Sequence, residues 1–323
     1  MKNSPLKKNR PNLGKLAPLV LPVFKPPRLG SFDAVRHFKR FLPYDYGKIG
    51  HFGTLDPFAS GLLLIGVGGA ARLNDLVHSE LPKTYIAVGK LGVETATGDW
   101  EGEIRQKDET PYFFGTIGRF QLSFLKEILE KKFQGEYWQS PHAYSAAKFM
   151  GRPLHEWARE GTEIKKEAVK RYIHSVEILK YQFPYVSFKA VVSSGTYVRT
   201  LFSDMAQELG TIGSLIALHR SSIGPVQARM AAIKKNWPGQ GGDYHLNALR
   251  PQDLLPFPQL RLSVESQKKF LNGHAPHLAD HETGYRWCMN ETGDLLGLIQ
   301  KNPSSHTQTV INWSNSLSNQ DGP

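Results

Sequence analysis

Residues 50–57 read G-H-F-G-T-L-D-P, and this octapeptide decides how the rest of the chain is read. Gly50 and Gly53 let the backbone bend tightly and come close to a ligand. Pro57 pushes the residue before it, Asp56, into extended geometry. The pattern predicts an acid presented from a rigid turn, not from the interior of a helix or strand. Directly after it, Leu62, Leu63, Leu64, Ile65 and Val67 form an apolar run of strand length. A carboxylate on a shaped loop beside a buried strand is where a nucleophile would be placed. Taken alone, the Asp-Pro dipeptide also allows a plain surface turn.

Composition narrows the classes of function. The chain has 323 residues, 40% of them hydrophobic, enough for one large or two ordinary domains. Lysine plus arginine number 40 against 29 acids, a formal charge of +11 that favours a polyanionic partner. The single cysteine, Cys288, excludes an internal disulfide and a cysteine-rich metal site, and it fits a reducing cytoplasm. No apolar run approaches the ~20 residues of a membrane span. The apolar stretch 16–24 is broken by Pro18 and Pro22, a poor signal-peptide core. A cytoplasmic protein without a membrane partner is expected. No P-loop or dinucleotide fingerprint is present, because Gly66, Gly68 and Gly69 lack the spacing that either requires.

Periodicity organises the chain into three parts. Residues 1–15 form a basic, flexible arm carrying Lys2, Lys7, Lys8, Arg10 and Lys15. Ser31 is expected to cap a helix bearing Phe32, Val35, Phe38 and Phe41. Further helices are expected over 70–78 and 122–133, and strands over 84–91, 169–179 and 185–192. Thr196 can cap a helix with the stripe Val198, Phe202, Met205 and Leu209, stopped by Gly210. Arg199 then falls in the first turn of that helix, off the stripe, where the helix dipole disfavours a cation. A nearby carboxylate would relieve that cost. Strands and helices mix without regular βαβ alternation, so the fold class is α+β. Residues 16–250 make one catalytic domain. Pro251, Pro256 and Pro258 mark a boundary, and residues 251–323 form a small strand-rich module with turns at Asn272-Gly273 and Thr292-Gly293 and a loose polar tail.

The octapeptide resembles the catalytic loop of the TruB family of RNA pseudouridine synthases, whose pattern is G-H-x-G-x-L-D-P. The resemblance continues in the family's order. Lys83, Thr84 and Tyr85 look like its K-x-Y strand. Thr95, Thr97, Asp99 and Gly102 resemble its T-x-T-x-D-x-x-G loop. Pro141, Tyr144, Ser145, Ala146, Lys148, Gly151 and Arg152 resemble its P-x-x-S-A-x-K-x-x-G segment and the residue after it, with one extra residue between the proline and the serine. Gly195 to Arg199 resemble G-T-Y-[IV]-R, and Leu218 and Arg220 fit its L-x-R. These matches cover roughly residues 19–230. The resemblance implies the pseudouridine synthase fold: a mixed, mainly antiparallel sheet, flanking helices, a thumb insertion over about 137–172, and a small C-terminal PUA-like module.

It also implies an activity: isomerisation of uridine 55 in the T-loop of tRNA to pseudouridine, with no metal or organic cofactor. Asp56 would be the nucleophile, Arg199 its ion-pair partner, and Tyr85 the residue that stacks on the target base near the proton lost from C5. His51 would fill the T-loop when the base leaves its stack. Tyr197 and Leu218 would pack the pocket. Lys25, Lys83, Lys148 and Arg152 would bind substrate. Bases and aromatics interleave across 137–172, including Tyr144, Lys148, Arg152, Arg159, Lys165, Lys166, Lys170 and Arg171, a pattern suited to gripping an RNA T-arm. A monomer needing no protein partner is expected. Other readings are a synthase of the same fold acting on another RNA, and a catalytically impaired RNA chaperone.

Two departures stand out. The family's K-P-x-G-x-[ST]-S is here Lys25-Pro26-Pro27-Arg28-Leu29-Gly30-Ser31, with Arg28 at the glycine and Gly30 at the threonine. Phe52 replaces a threonine in the catalytic loop, which is expected to make the pocket entrance more apolar.

Overall fold

Three strands converge on the octapeptide. Leu19–Lys25 (β1) and Ile49–His51 (β2) both pair antiparallel with Ser60–Val67 (β3), on its opposite edges. The chain leaves β2 at His51, makes the Asp56 loop, and returns as β3. Nearly every residue of β3 is buried, which is why it reads as a continuous apolar run and not as an alternation. In this computed structural model the described residues are 18–42, 47–145, 147–162, 164–237, 248–279, 281–303 and 306–313. The expected N-terminal arm, the Gly- and Pro-rich loop after Trp237, and the polar tail from Ser314 lie outside them.

Lys83–Leu91 (β4), Gly135–Gln139 (β5), Val169–Gln182 (β6), Tyr185–Val192 (β7) and Gly213–Ile223 (β8) extend the main sheet, and the two residues Val226–Gln227 pair with β8 at its margin. Its order is β1-β3-β8-β4-β7-β6-β5. The pairings along this path are antiparallel except one: β8 runs parallel to β3 through His219↔Ser60 and Arg220↔Gly61. Gly61 is required at that junction. Its φ is +116°, and a Cβ there would stand 2.3 Å from the Arg220 carbonyl oxygen. The architecture is the mixed, mainly antiparallel α+β arrangement expected from the sequence.

Helices cover the sheet where their apolar stripes demand it. Ser31–Lys39 (α1) lays Ala34, Val35 and Phe38 on Leu21, Val23, Leu63 and Ile65. Asn74–Glu80 (α2) buries Leu76 and Val77. Val198–Glu208 (α3) packs Leu201, Phe202 and Met205 against Ala87, Phe188 and Leu215, with Phe202 stacked on Phe188. Gly210, with φ +79°, ends this last element.

Several local expectations are corrected. Gly30, not Ser31, is the N-cap of α1. Tyr197, not Thr196, precedes α3, and the Thr196 hydroxyl donates back to the Ser193 carbonyl. Residues 68–73 form a 3₁₀ turn that leads into α2. The expected helix over 122–133 opens into a π turn at Lys126–Glu130, from which Glu130 accepts the Ile178 amide beside a bulge in β6.

The C-terminal residues form a four-stranded sheet, Gln259–Arg261 (β9), Gly284–Met289 (β10), Leu295–Lys301 (β11) and Gln308–Asn312 (β12), in that spatial order. Where only strands and turns are expected, a helix, Val264–Leu271 (α4), follows β9. Asn272-Gly273 is therefore a helix stop and not a strand turn, with Gly273 at φ +94°. Trp287, Met289, Leu298, Ile311 and Trp313 share one apolar cluster with Leu62, Leu64, Leu73 and Leu76. The Trp313 indole donates to the Gly69 carbonyl at 3.0 Å, and Arg72 donates to the Asn312 carbonyl at 2.7 Å. The core is thus continuous across the proline-marked boundary. No helix among the described residues is long and apolar enough to cross a membrane.

Candidate active site

The loop between β2 and β3 is held by its own carbonyl groups. Arg220 enters from β8 fully buried and donates to the carbonyls of Leu62 at 2.7 Å, Gly53 at 3.1 Å and Thr54 at 3.3 Å. Ser31, freed from capping, donates to the Leu55 carbonyl at 2.9 Å and accepts the Leu55 amide at 2.8 Å. The Arg28 amide donates to the Pro57 carbonyl at 2.8 Å. Lys25 reaches the Ala59 carbonyl at 2.6 Å, with Leu29, Pro26 and Pro57 at 2.8, 3.0 and 3.3 Å. A loop anchored this densely presents Asp56 in one orientation.

Arg199 meets Asp56 with a two-point contact, Nε to Oδ2 at 2.9 Å and Nη2 to Oδ1 at 3.1 Å. The arginine side chain is 4% exposed and the aspartate 30%. The same guanidinium donates to the carbonyls of Thr97 at 2.7 Å and Tyr144 at 3.0 Å, and lies 3.6 Å from Asp99 Oδ2. Asp99 is buried, and burial raises its carboxyl above the usual range, against the Thr97 hydroxyl and Arg199, which act the other way. The cation that the helix dipole disfavours is therefore compensated by two carboxylates from separate loops.

Asp56 lines two cavities. The smaller, about 190 Å³, is lined by Asp56, Lys83, Tyr85, Tyr197, Leu218 and His78. Lys83 and Tyr85 reach it together because alternate residues of β4 share a face. The larger, about 730 Å³, shares Thr54, Leu55, Asp56 and Ser145 with the smaller and includes His51, Tyr144 and Arg199 together with Phe32, Arg36 and Arg159. Burial lowers the His51 imidazole, whose Nδ1 is buried without a partner among the described residues. Burial and the nearby Lys83 push His78 down to about 4. Tyr85 is buried, its hydroxyl 3.5 Å from Arg220.

The residues named from sequence thus divide. Asp56, Arg199, Tyr85, Tyr197, Leu218 and Lys83 meet at one place, and His51 faces the adjoining cavity. Lys25, expected on the substrate, is fully buried beneath the loop with four carbonyls around its ammonium. Burial lowers it to about 8, against the pull of Asp56. Phe52, expected at the pocket entrance, is buried behind the sheet with Leu62 and Leu64, and explains why Gly66 has no side chain: a Cβ there would lie 2.5 Å from the phenyl ring. On the thumb, Arg152 is engaged by Glu156 at 3.3 Å and Glu160 at 2.5 Å and covers the Trp157 ring. Lys170 pairs with Glu136. Lys148 is exposed.

Asp99 and Arg220 lie in motifs of the sequence, but their roles emerge only in three dimensions. The same holds for Gln139, whose side-chain oxygen accepts the Tyr197 amide at 2.7 Å and whose nitrogen donates to the Tyr197 carbonyl at 3.0 Å, fixing the start of α3. No sequence signal marks a glutamine that completes another residue's backbone hydrogen bonds. Arg28 has φ +64°, the left-handed region, at the position where the family pattern carries glycine. The backbone geometry at this position is the one a glycine would favour, with arginine adopting it under strain.

Comparison with known proteins agrees with this geometry. The sequence profile of the TruB family pseudouridylate synthase N-terminal domain matches residues 39–198. The chain is 37% identical over 258 residues to tRNA pseudouridine synthase B of Clostridium kluyveri, covering 79% of this chain and 83% of the relative. It is 36% identical over 291 residues to the protein of that name from Burkholderia lata, covering 87% and 86%. In three dimensions it resembles a crystal structure of a Cbf5-Nop10-Gar1 complex, with a TM-score of 0.64 at 19% identity, over 91% of this chain and 83% of the other. The octapeptide, the ordered motifs and these relatives place the chain in one group: it belongs to the TruB family of pseudouridylate synthases, and it is an isomerase.

Proposed function

We propose that this enzyme converts uridine 55 in the T-loop of tRNA to pseudouridine, with Asp56 as the nucleophile. The observation that carries the reading is the position of Asp56: clamped by Arg199, at the junction of a small cavity lined by Tyr85 and Leu218 and a larger one lined by His51. A stacked uridine hides its glycosidic carbon, so the base must leave the loop before chemistry. The flipped base enters the smaller cavity, where Tyr85 lies against it near C5. His51 faces the vacated stack from the other side. The relatives named tRNA pseudouridine synthase B support tRNA as the substrate. The T-arm is gripped by shape and phosphate contact from the thumb at about 137–172, including Lys148, and residues 251–323 extend that surface. The enzyme acts as a monomer.

The test is incubation with unmodified tRNA followed by carbodiimide primer extension. A stop at the T-loop uridine is expected. A stop elsewhere would point to a different RNA target, and binding without any stop would point to a chaperone. Binding should weaken steeply with salt, as counterions leave several phosphate contacts.

A further inference from the structure

Four buried cations surround the Asp56 loop, and three are accounted for. Lys25 is ringed by carbonyls, Arg220 is spent on the loop backbone, and Arg199 holds Asp56 and Asp99. Lys83 is the fourth. It is 4% exposed, lines the smaller cavity with Asp56 and Tyr85, and its ammonium has no hydrogen-bond or ion-pair partner among the described residues. The loop makes room for it. Gly53 has φ +102°, and a Cβ there would stand 2.7 Å from the Lys83 Nζ. An ammonium buried without an acceptor is unfavourable. Consistently, burial and Arg220 lower it to about 7. Such a group, aimed into a cavity, fits a ligand that brings the acceptor with it.

We propose that Lys83 stabilises the negative charge that develops on the uracil ring during isomerisation. The inference rests on the proposed function of the same cavity. When the C1′–N1 bond breaks, its electron pair leaves with the base, and the charge spreads over N1, O2 and O4. The electron-deficient ribose is met by the Asp56 carboxylate. After the base turns, C5 attacks C1′ as the Asp56 oxygen leaves it with its electron pair, the C5 proton is released and N1 takes one up. If Asp56 instead adds first to C6, the C5=C6 pair moves to make an enolate at O4, and the later loss of the C5 proton expels the carboxylate from C6 and restores the double bond. On either route a carbonyl oxygen of the ring gains charge, and a preorganised donor in a water-poor site stabilises it. Arg220 is turned to the carbonyls of Leu62, Thr54 and Gly53 and does not line this cavity, and His78, held near 4, carries no charge at neutral pH.

The experiment compares Lys83→Met with the unaltered enzyme in single-turnover reactions at saturating tRNA, carrying either uridine or 5-fluorouridine at the target. Fluorouracil is the stronger acid, so its anion needs less help from the protein. Its reaction is followed as disappearance of the parent nucleoside, because fluorine occupies the position from which the proton leaves. The expected result is a ~10²–10³-fold loss on uridine, tRNA affinity within a few-fold, and a clearly smaller loss on 5-fluorouridine. An unchanged rate on uridine, or equal losses on both substrates, overturns the role of Lys83. Lys83→Gln carries the same expectation and replaces Lys83→Met if that variant does not fold. Failure of the unaltered enzyme to form pseudouridine would instead overturn the function on which the inference rests.

Discussion

Arg199 grips Asp56 through two parallel contacts, 2.9 and 3.1 Å long, across 143 residues of sequence. The guanidinium is also fixed by the Thr97 and Tyr144 carbonyls, so the orientation of Asp56 is inherited from three separate segments. Replacing Asp56 by Asn keeps the shape and removes the carboxylate. Turnover should fall by at least ~10⁴-fold, while tRNA affinity stays within a few-fold, because phosphate contacts lie elsewhere. Primer extension and filter binding check this. Turnover that persists after deamidation has been excluded would remove Asp56 from the mechanism.

Arg199→Ala leaves Asp56 and the buried Asp99 facing each other without their cation. Stability should drop by about 3 kcal/mol, the scale for breaking a buried pair, and turnover should fall heavily. Arg199→Lys should recover only part of both, because a single ammonium cannot serve two carboxylates and two carbonyls at once. Full recovery with Lys, in denaturant melts and single-turnover assays, would show that the planar fork is not needed.

Arg28→Gly should stabilise the protein. Arg28 sits at φ +64°, where an L-residue costs about 1–2 kcal/mol, partly offset by the greater freedom of glycine in the unfolded chain. A net gain of up to about 1 kcal/mol is expected in chemical denaturation. A loss would mean that the arginine side chain contributes more than its backbone strain takes away.

Stability should also depend on pH through Lys83. Its folded value, about 7, lies below the ordinary lysine value of 10.5, so between these limits the unfolded chain binds the extra proton. Stability attributable to this residue therefore rises as pH increases from about 7 to about 10.5. Lys25 titrates nearby, from about 8, so the slope should be read as the difference between the unaltered protein and Lys83→Met. That difference should favour the unaltered protein progressively across the window. A flat difference would show that burial does not depress Lys83.

Removing residues 255–323 should abolish a cooperative melt. Trp287, Leu298, Ile311 and Trp313 complete the cluster around Leu73 and Leu76, and their loss would expose that face to water. Trp313→Ala is the milder version, with an expected loss of about 3–5 kcal/mol. A truncated chain that melts as sharply as the whole one would show that the catalytic domain closes its own core.

Sequence alone determined the elements whose cause is local. The Gly-Gly-Asp-Pro spacing predicts a turn that presents an acid, alternation at 185–192 predicts β7, and Gly210 predicts the end of α3, because each rests on the chain's own dihedral limits and periodicity. The motif resemblance named Asp56 and Arg199 as partners. What the tertiary structure decided is which side chains face water. Lys25 and Phe52 look like binding and entrance residues on paper, yet both are buried: Lys25 among the carbonyls of Leu29, Pro57 and Ala59, and Phe52 in the cluster that β3 shares with the C-terminal strands. Ser31 looks like a helix cap and instead clamps Leu55, because the Asp56 loop folds against it. Lys83 lies buried at the smaller cavity because β4, the Gly53 turn and Tyr197 come together there from separate parts of the chain. Burial and hydrogen-bond competition are set by neighbours far apart in sequence, and no local pattern encodes them.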